Sequence, residues 1–219
     1  MGGRFGFCAA IAALVTSVGY GIPQLLQVAG VLHDPWDRIL IFAPSLALAP
    51  SFALTMAAVY EFAPPDRKIL ALAGLVLAIM YATLVSIVYI TQLSVVIPHD
   101  IAGDGDRYAA FACCGQHQFT TGVDLLGYTL MSLSTLVAAF VFAPSGPQRW
   151  TRWWFIANGV LAPFLIGQTA WPALLYVGAL WLITFPAAMI ALASVFAHPP
   201  ATIEIHGERF DARLTLDRP

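Results

Sequence analysis

Asp124 is the first residue to ask about, because it opens an otherwise apolar run, "DLLGYTLMSLST" (Asp124–Thr135). An ionisable carboxyl in such a run is costly in hydrocarbon and marks a proton-handling or ligand-binding group. The same residue also reads as an acid at the start of a helix, since Thr120-Thr121-Gly122-Val123 precedes it and early acids suit the helix dipole. The polar residues of the other apolar runs are mostly phenols, amides and hydroxyls. Thr16, Tyr20, Gln24 and Gln27 are spaced four, four and three apart, and Asp124, Tyr128, Ser132 and Thr135 repeat that pattern. Tyr81, Tyr89 and Gln92 fall on one stripe, and Asn158 and Gln168 stand ten residues apart, nearly in phase. Residues three and four apart share a helical face. Such faces hydrogen-bond a neutral, weakly polar molecule or simply one another, the latter at about 0.6 kcal/mol per interhelical bond.

A second group lies between residues 99 and 122: His99, Asp100, Asp104, Asp106, Cys113, Cys114 and His117. Cysteine and histidine are zinc ligands, but zinc sites leave about two to four residues between cysteines. The adjacent pair Cys113-Cys114 does not fit, so no metal is expected. His99, Cys113, Cys114 and His117 would supply the ligands if one bound. In an oxidising compartment the pair reads as a vicinal or intermolecular disulfide. It also reads as two small residues on a short amphipathic helix, Arg107–Cys114. Three cysteines make no disulfide framework. Glu61, three residues before Pro64-Pro65, reads as interfacial, near Arg67 or Lys68.

The elements that carry these residues follow from composition. Of 219 residues 59% are hydrophobic and 10% charged, with a mean hydropathy of +0.79. Soluble domains carry roughly 25% charged residues, so this chain lacks the polar surface to cover a water-soluble fold. The absence of a basic cluster argues against nucleic acid as a partner. A membrane helix needs roughly 20 apolar residues, and six segments qualify: 5–32, 39–63, 69–98, 123–143, 153–171 and 173–197. Proline-, aspartate- and glycine-rich breaks separate them. The fold class is therefore all-α, a polytopic bundle of six transmembrane helices over residues 1–197. No segment alternates polar and apolar as barrel strands do. Phe5–Leu32 is too long for the apolar core of a signal peptide and reads as a retained span. Cys8 lies too near the start for a lipoprotein signal to precede it.

Orientation follows from the ten basic residues. With the N-terminus in the cytoplasm, Arg4, Arg67, Lys68, Arg149, Arg152, Arg209, Arg213 and Arg218 lie inside, and Arg38 and Arg107 outside. That eight-to-two bias gives both termini cytoplasmic by the positive-inside rule. Trp36, Trp150, Trp153, Trp154 and Trp171 then fall at span ends. Residues 198–219 form a short cytoplasmic tail. There Thr202-Ile203-Glu204-Ile205 and Phe210-Asp211-Ala212-Arg213-Leu214 read as a β-hairpin around His206-Gly207. This topology puts Tyr20, Gln24, Gln27, Tyr89, Gln92, Asp124, Tyr128 and Gln168 in the outer half of the bilayer. The expectation is one outward-facing cavity lined by these eight, with Pro23 freeing a carbonyl and bending the first helix.

Familiar chemistries are missing. No lysine lies within a span for a retinal Schiff base, and no histidine lies mid-span for haem. The sequence has no GxSxG, HExxH or Walker loop. No cofactor is expected. The partners expected are the lipid bilayer, a small amphipathic ligand and a possible oligomeric or complex partner.

Pro23-Gln24 resembles the Pro-Gln of PQ-loop transporters. Those have seven spans in two repeats with a second Pro-Gln, where this chain reads "VLAPFLIGQTAW". Four phrases, "QLLQVAG" (Gln24–Gly30), "YITQLSVVIP" (Tyr89–Pro98), "DLLGYTLMSLST" (Asp124–Thr135) and "ALWLITFPA" (Ala179–Ala187), resemble a group of uncharacterised bacterial six-span membrane proteins. That resemblance implies a six-helix bundle in a bacterial cytoplasmic membrane and no particular activity. The function expected is binding or transport of a small amphipathic or lipid-like molecule. The rival classes are a membrane enzyme using Asp124 with His99 or His117 as acid–base groups, and a structural subunit or assembly partner.

Overall fold

The computed structural model describes residues 2–198, together with the backbone of 203–205 and 208–210. It is built of helices: α1 (Gly2–Val28), α2 (Trp36–Phe62), α3 (Lys68–Thr91), α4 (Ile97–Ala102), α5 (Phe119–Ala138), α6 (Gln148–Gly159), α7 (Ala162–Gly167), α8 (Leu175–Gly178) and α9 (Trp181–Ala197). Among the described residues, five helical segments are long and apolar enough to cross a membrane: Gly3–Val28, Trp36–Phe62, Pro65–Ala102, Phe119–Val141 and Pro172–Ala197. The chain is thus a multi-pass helical membrane protein.

The segment 153–171 differs from the unbroken helix read in the sequence. It is α6 and α7, separated by a turn at Val160 and Leu161. Pro163 has no amide hydrogen to give the carbonyl of Gly159, and glycine holds a helix poorly. The third segment departs in the other direction. It passes through a wider, π-type turn at Gln92–Val96 and runs on to Ala102, where Gly103 takes a left-handed φ of 83° and stops it. α1 runs through Pro23 without interruption.

Packing closes the helices into a ring. α1 packs on α2 and α9, α2 on α3, α3 on α5, α5 on both α6 and α7, and α6 on α9. In lipid no hydrophobic force drives helices together, so close approach through small residues does that work. The buried face of α1 is small: Gly6, Ala10, Ala13, Ser17 and Gly21. A Cβ on Gly6 would lie 2.9 Å from the Phe196 ring of α9, and one on Gly21 3.3 Å from Leu182. The outward face of α1 exposes Phe5, Val15, Ile22 and Leu25, as contact with lipid acyl chains requires.

Aromatic rings fill the centre. Phe52, Tyr81 and Phe185 are fully buried. Phe52 meets Tyr81 at 5.8 Å and Phe185 at 5.5 Å, and Trp181 stacks on Phe185 at 4.8 Å. These are the edge-to-face and offset arrangements that aromatic quadrupoles favour.

The two ends of the ring are built differently. At one, cations cap the carbonyl ends of helices. Lys68 donates to the main-chain oxygen of Tyr60 at 2.7 Å, and Arg152 to that of Phe142 at 3.2 Å. Lys68 also reaches the main-chain carbonyl of Glu61, 3.3 Å away. At the other end, Arg38 joins Asp34 beside it to Asp100 in the last turn of the third segment, 2.5 Å away. This end also carries the long connection from Gly103 to Gln118. In the tail, β1 (Ile203–Ile205) and β2 (Glu208–Phe210) pair antiparallel, with Ile203 opposite Phe210. His206-Gly207 and residues 211–219 of the expected hairpin lie outside the described residues.

Two glycines of α5 give a matched test of this packing. A Cβ on Gly127 would fall 2.5 Å from Val85, which is fully buried on α3, whereas one on Gly122 meets nothing within 4 Å. Gly127→Ala should lower the thermal midpoint in detergent, by an overpacking cost of about 1–3 kcal/mol. Gly122→Ala should hold or raise it, by up to about 1 kcal/mol of helix propensity. Equal effects from the two would contradict the α3–α5 contact.

Candidate functional site

Asp124 does not sit where a capping acid belongs. α5 begins at Phe119, so Asp124 lies in its second turn, and the first turn holds no acid. The helix starts earlier than the sequence suggested because the loop before it is stitched down. The Cys114 amide donates to Thr121 Oγ1 at 2.9 Å, the Gly115 amide donates to Gln118 Oε1 at 2.9 Å, and Thr120 Oγ1 donates to the Ala112 carbonyl.

The Oδ1 of Asp124 is shielded and has no hydrogen-bonding partner among the described residues. Its charge is within electrostatic reach of four phenols: Tyr20, Tyr81, Tyr89 and Tyr128. Tyr89 donates its hydroxyl to that of Tyr128 at 3.0 Å. The rings of Tyr81 and Tyr128 are 5.7 Å apart, and Trp181 stands between Tyr128 at 5.1 Å and Tyr20 at 6.0 Å. Tyr81 Oη and Trp181 Nε1 are also buried without a partner among the described residues. Buried polar atoms are paired in the great majority of cases, so each exception asks for a reason. Three such exceptions share one aromatic cluster. Together they offer a carboxylate oxygen that accepts, an indole that donates and a phenol that does either.

The eight residues expected to border one cavity divide. The structure brings Tyr20, Tyr89, Asp124 and Tyr128 together and commits the four glutamines to protein partners. Gln24 donates to Gln27 at 2.9 Å, and Gln27 donates to Asp37 at 2.8 Å, a chain that ties α1 to α2. Gln92 is buried in the π-type turn; its Nε2 donates to the Phe111 carbonyl at 2.8 Å and its Oε1 accepts from the Cys113 amide at 3.0 Å. Gln168 leans on the Phe164 carbonyl at 3.5 Å, and a Cβ on Gly178 would come 2.5 Å from its Nε2. α1 and α5 are not side by side in the ring. What joins Tyr20 to Asp124 is the aromatic cluster between them.

The loop differs from the amphipathic helix read over Arg107–Cys114. Tight helical turns cover Gly105–Phe111 and end before the cysteines, because Cys114 has a φ of 80°, which no right-handed helix accommodates. Cys113 and Cys114 form a vicinal disulfide. Their sulfurs and a carboxylate oxygen of Asp124 all lie within 4.8 Å of one another. Neither His99 nor His117 joins this group. His99 bonds Asp104 through Nδ1 at 2.9 Å and stacks on Tyr108 at 3.8 Å. Bonded to each other, Cys113 and Cys114 offer no thiolate to a metal.

Sequence reasoning missed Tyr81 and Trp181 as members of the site, and Asp37 as the partner of Gln27. Trp181 carried a signal, being the one tryptophan away from span ends. A further polar link is structural: Asn158 of α6, fully buried, donates to Thr135 at 3.0 Å and accepts from Thr184 at 3.0 Å, joining α5, α6 and α9.

Fold and site together define a multi-pass helical membrane protein with a phenol-ringed carboxylate beside a disulfide. No protein-family model, curated protein or solved structure matches the chain.

The role given to Gln92 is checked by hydrogen exchange. Gln92→Leu removes the acceptor of the Cys113 amide, so that amide should exchange about 10-fold faster, the equivalent of one hydrogen bond near 1.4 kcal/mol. Unchanged protection would mean that the loop is held by other contacts.

Proposed function

We propose that this is a bacterial cytoplasmic-membrane protein of six spans with both termini cytoplasmic. In this reading α6 and α7 together make the fifth span, and the site around Asp124 binds or carries a small amphipathic, lipid-like molecule in the outer half of the bilayer. The observation that carries it is the set of unmet polar atoms, Asp124 Oδ1, Tyr81 Oη and Trp181 Nε1, within one aromatic cluster. A ligand with a hydroxyl or amide to give Asp124, an acceptor for the indole and an apolar body against the rings answers all three. The predominance of phenols over charges favours neutral ligands over ions. The eight-to-two distribution of basic residues supports the orientation. So does the disulfide, since such bonds persist in oxidising compartments. The likeness to bacterial six-span membrane proteins agrees with this reading. The enzyme reading, with His99 or His117 as partner to Asp124, has less support, because His99 is engaged with Asp104 and Tyr108.

Native mass spectrometry of gently solubilised protein tests the proposal. The wild type should retain one small molecule at near-stoichiometric level, enriched over bulk lipid. Asp124→Asn and Tyr81→Phe should each lose most of it while keeping the helical circular-dichroism signal. Bulk lipid alone in the wild type, or equal retention in both variants, would remove the support for binding at this site.

A further inference from the structure

We propose that the Cys113–Cys114 disulfide is a thiol–disulfide exchange site, with Asp124 as its proton partner and a dithiol as its electron donor. The bond does little as a staple. Disulfide stabilisation grows with the length of chain enclosed, and a bridge between neighbours encloses almost none. The loop is already fastened on both sides of the pair by Gln92 and by Thr120, Thr121 and Gln118. A bond that fastens nothing is better placed to react.

Its surroundings fit exchange. Cys114 is exposed and Cys113 half-buried, so an incoming thiolate meets Cys114 first. The sulfurs lie within 4.8 Å of a carboxylate oxygen of Asp124, a distance that a single water spans for proton transfer. Cys114 is held at a φ of 80°, a conformation unfavourable for a residue with a Cβ, and opening the ring frees it to relax.

The chemistry balances with a dithiol as reductant. One thiolate of the donor attacks Cys114 Sγ; a new S–S bond forms, the Cys113–Cys114 bond breaks, and its electron pair leaves on Cys113 Sγ, which takes a proton from Asp124. The donor's second thiolate then attacks its own sulfur in the mixed disulfide and releases Cys114, which is protonated in turn. Asp124 recovers its proton from those the donor shed. The donor ends as a disulfide, and Cys113 and Cys114 end as two thiols. This site stands whether or not a small molecule occupies the phenol cluster.

The test is reduction of the full-length protein in detergent by dithiothreitol, followed by maleimide labelling and peptide mass spectrometry. Protein isolated under thiol-blocking conditions should carry the blocking group on Cys8 and not on Cys113 or Cys114. Dithiothreitol should then expose both to maleimide while circular dichroism stays native, and Asp124→Asn should slow that step at least 10-fold without altering the blocking of Cys8. Cys113→Ser should form a mixed disulfide with an added disulfide probe on Cys114 faster than Cys114→Ser forms one on Cys113, and equal rates would overturn the order of attack independently of the Asp124 variant. Free thiols at both positions in the isolated protein, reduction only on unfolding, or an unchanged rate in Asp124→Asn would overturn the proposal.

Discussion

Hydrocarbon offers no hydrogen bonds, and the bundle is arranged around that constraint. The backbone answers it by being helical. Most hydroxyls answer it by turning back on their own helix: Ser45 bonds the Ile41 carbonyl, Thr55 that of Ser51, and Thr83 that of Ile79, each at 2.8–2.9 Å. Larger polar groups need partners on other helices, and these set which helices touch. Asn158 joins Thr135 to Thr184, Ser134 donates to the Gly74 carbonyl at 2.7 Å, and Gln27 reaches Asp37. Gly74 permits its contact because it lets α3 and α5 approach with no side chain between them. One carboxyl oxygen of Asp124 departs from this economy of pairing, and the departure falls where the aromatic centre of the bundle meets the disulfide-bearing loop.

Much of the architecture was legible in residue type alone. Charge is scarce, the apolar runs are long, and prolines and aspartates interrupt them, so membrane-crossing helices follow from hydration energetics without any tertiary information. The stripes of Tyr20, Tyr89 and Tyr128 were legible from helical spacing, because an apolar solvent turns polar faces inward. The break between α6 and α7 was written in Gly159 and Pro163. Apolar content masked it, since a hydropathy argument counts oily residues and does not ask whether each carbonyl has a donor.

Adjacency was not legible. Nothing in the sequence says that α1 packs on α9, or that Trp181 stands between Tyr20 and Tyr128; both depend on small-residue contacts whose partners are distant in the chain. For the same reason the partners of the glutamines were not legible. A buried amide has four hydrogen-bonding positions to satisfy, and Gln27 and Gln92 found partners at Asp37 and at the 111–113 backbone, groups that sequence reading had placed outside the spans. The vicinal disulfide lay among the readings of Cys113-Cys114, but its approach to Asp124 depends on how the loop folds back over the start of α5.

The account turns on Asp124 being retained at a cost to stability, as groups kept for chemistry often are. The thermal midpoint of Asp124→Asn against the wild type, in one detergent and under oxidising conditions, measures this most directly. Replacing a carboxyl whose shielded oxygen has no partner among the described residues should leave the midpoint unchanged or raise it. A fall of several degrees would show that the carboxylate is holding the bundle together, and would contradict the assignment of Asp124 to a functional site.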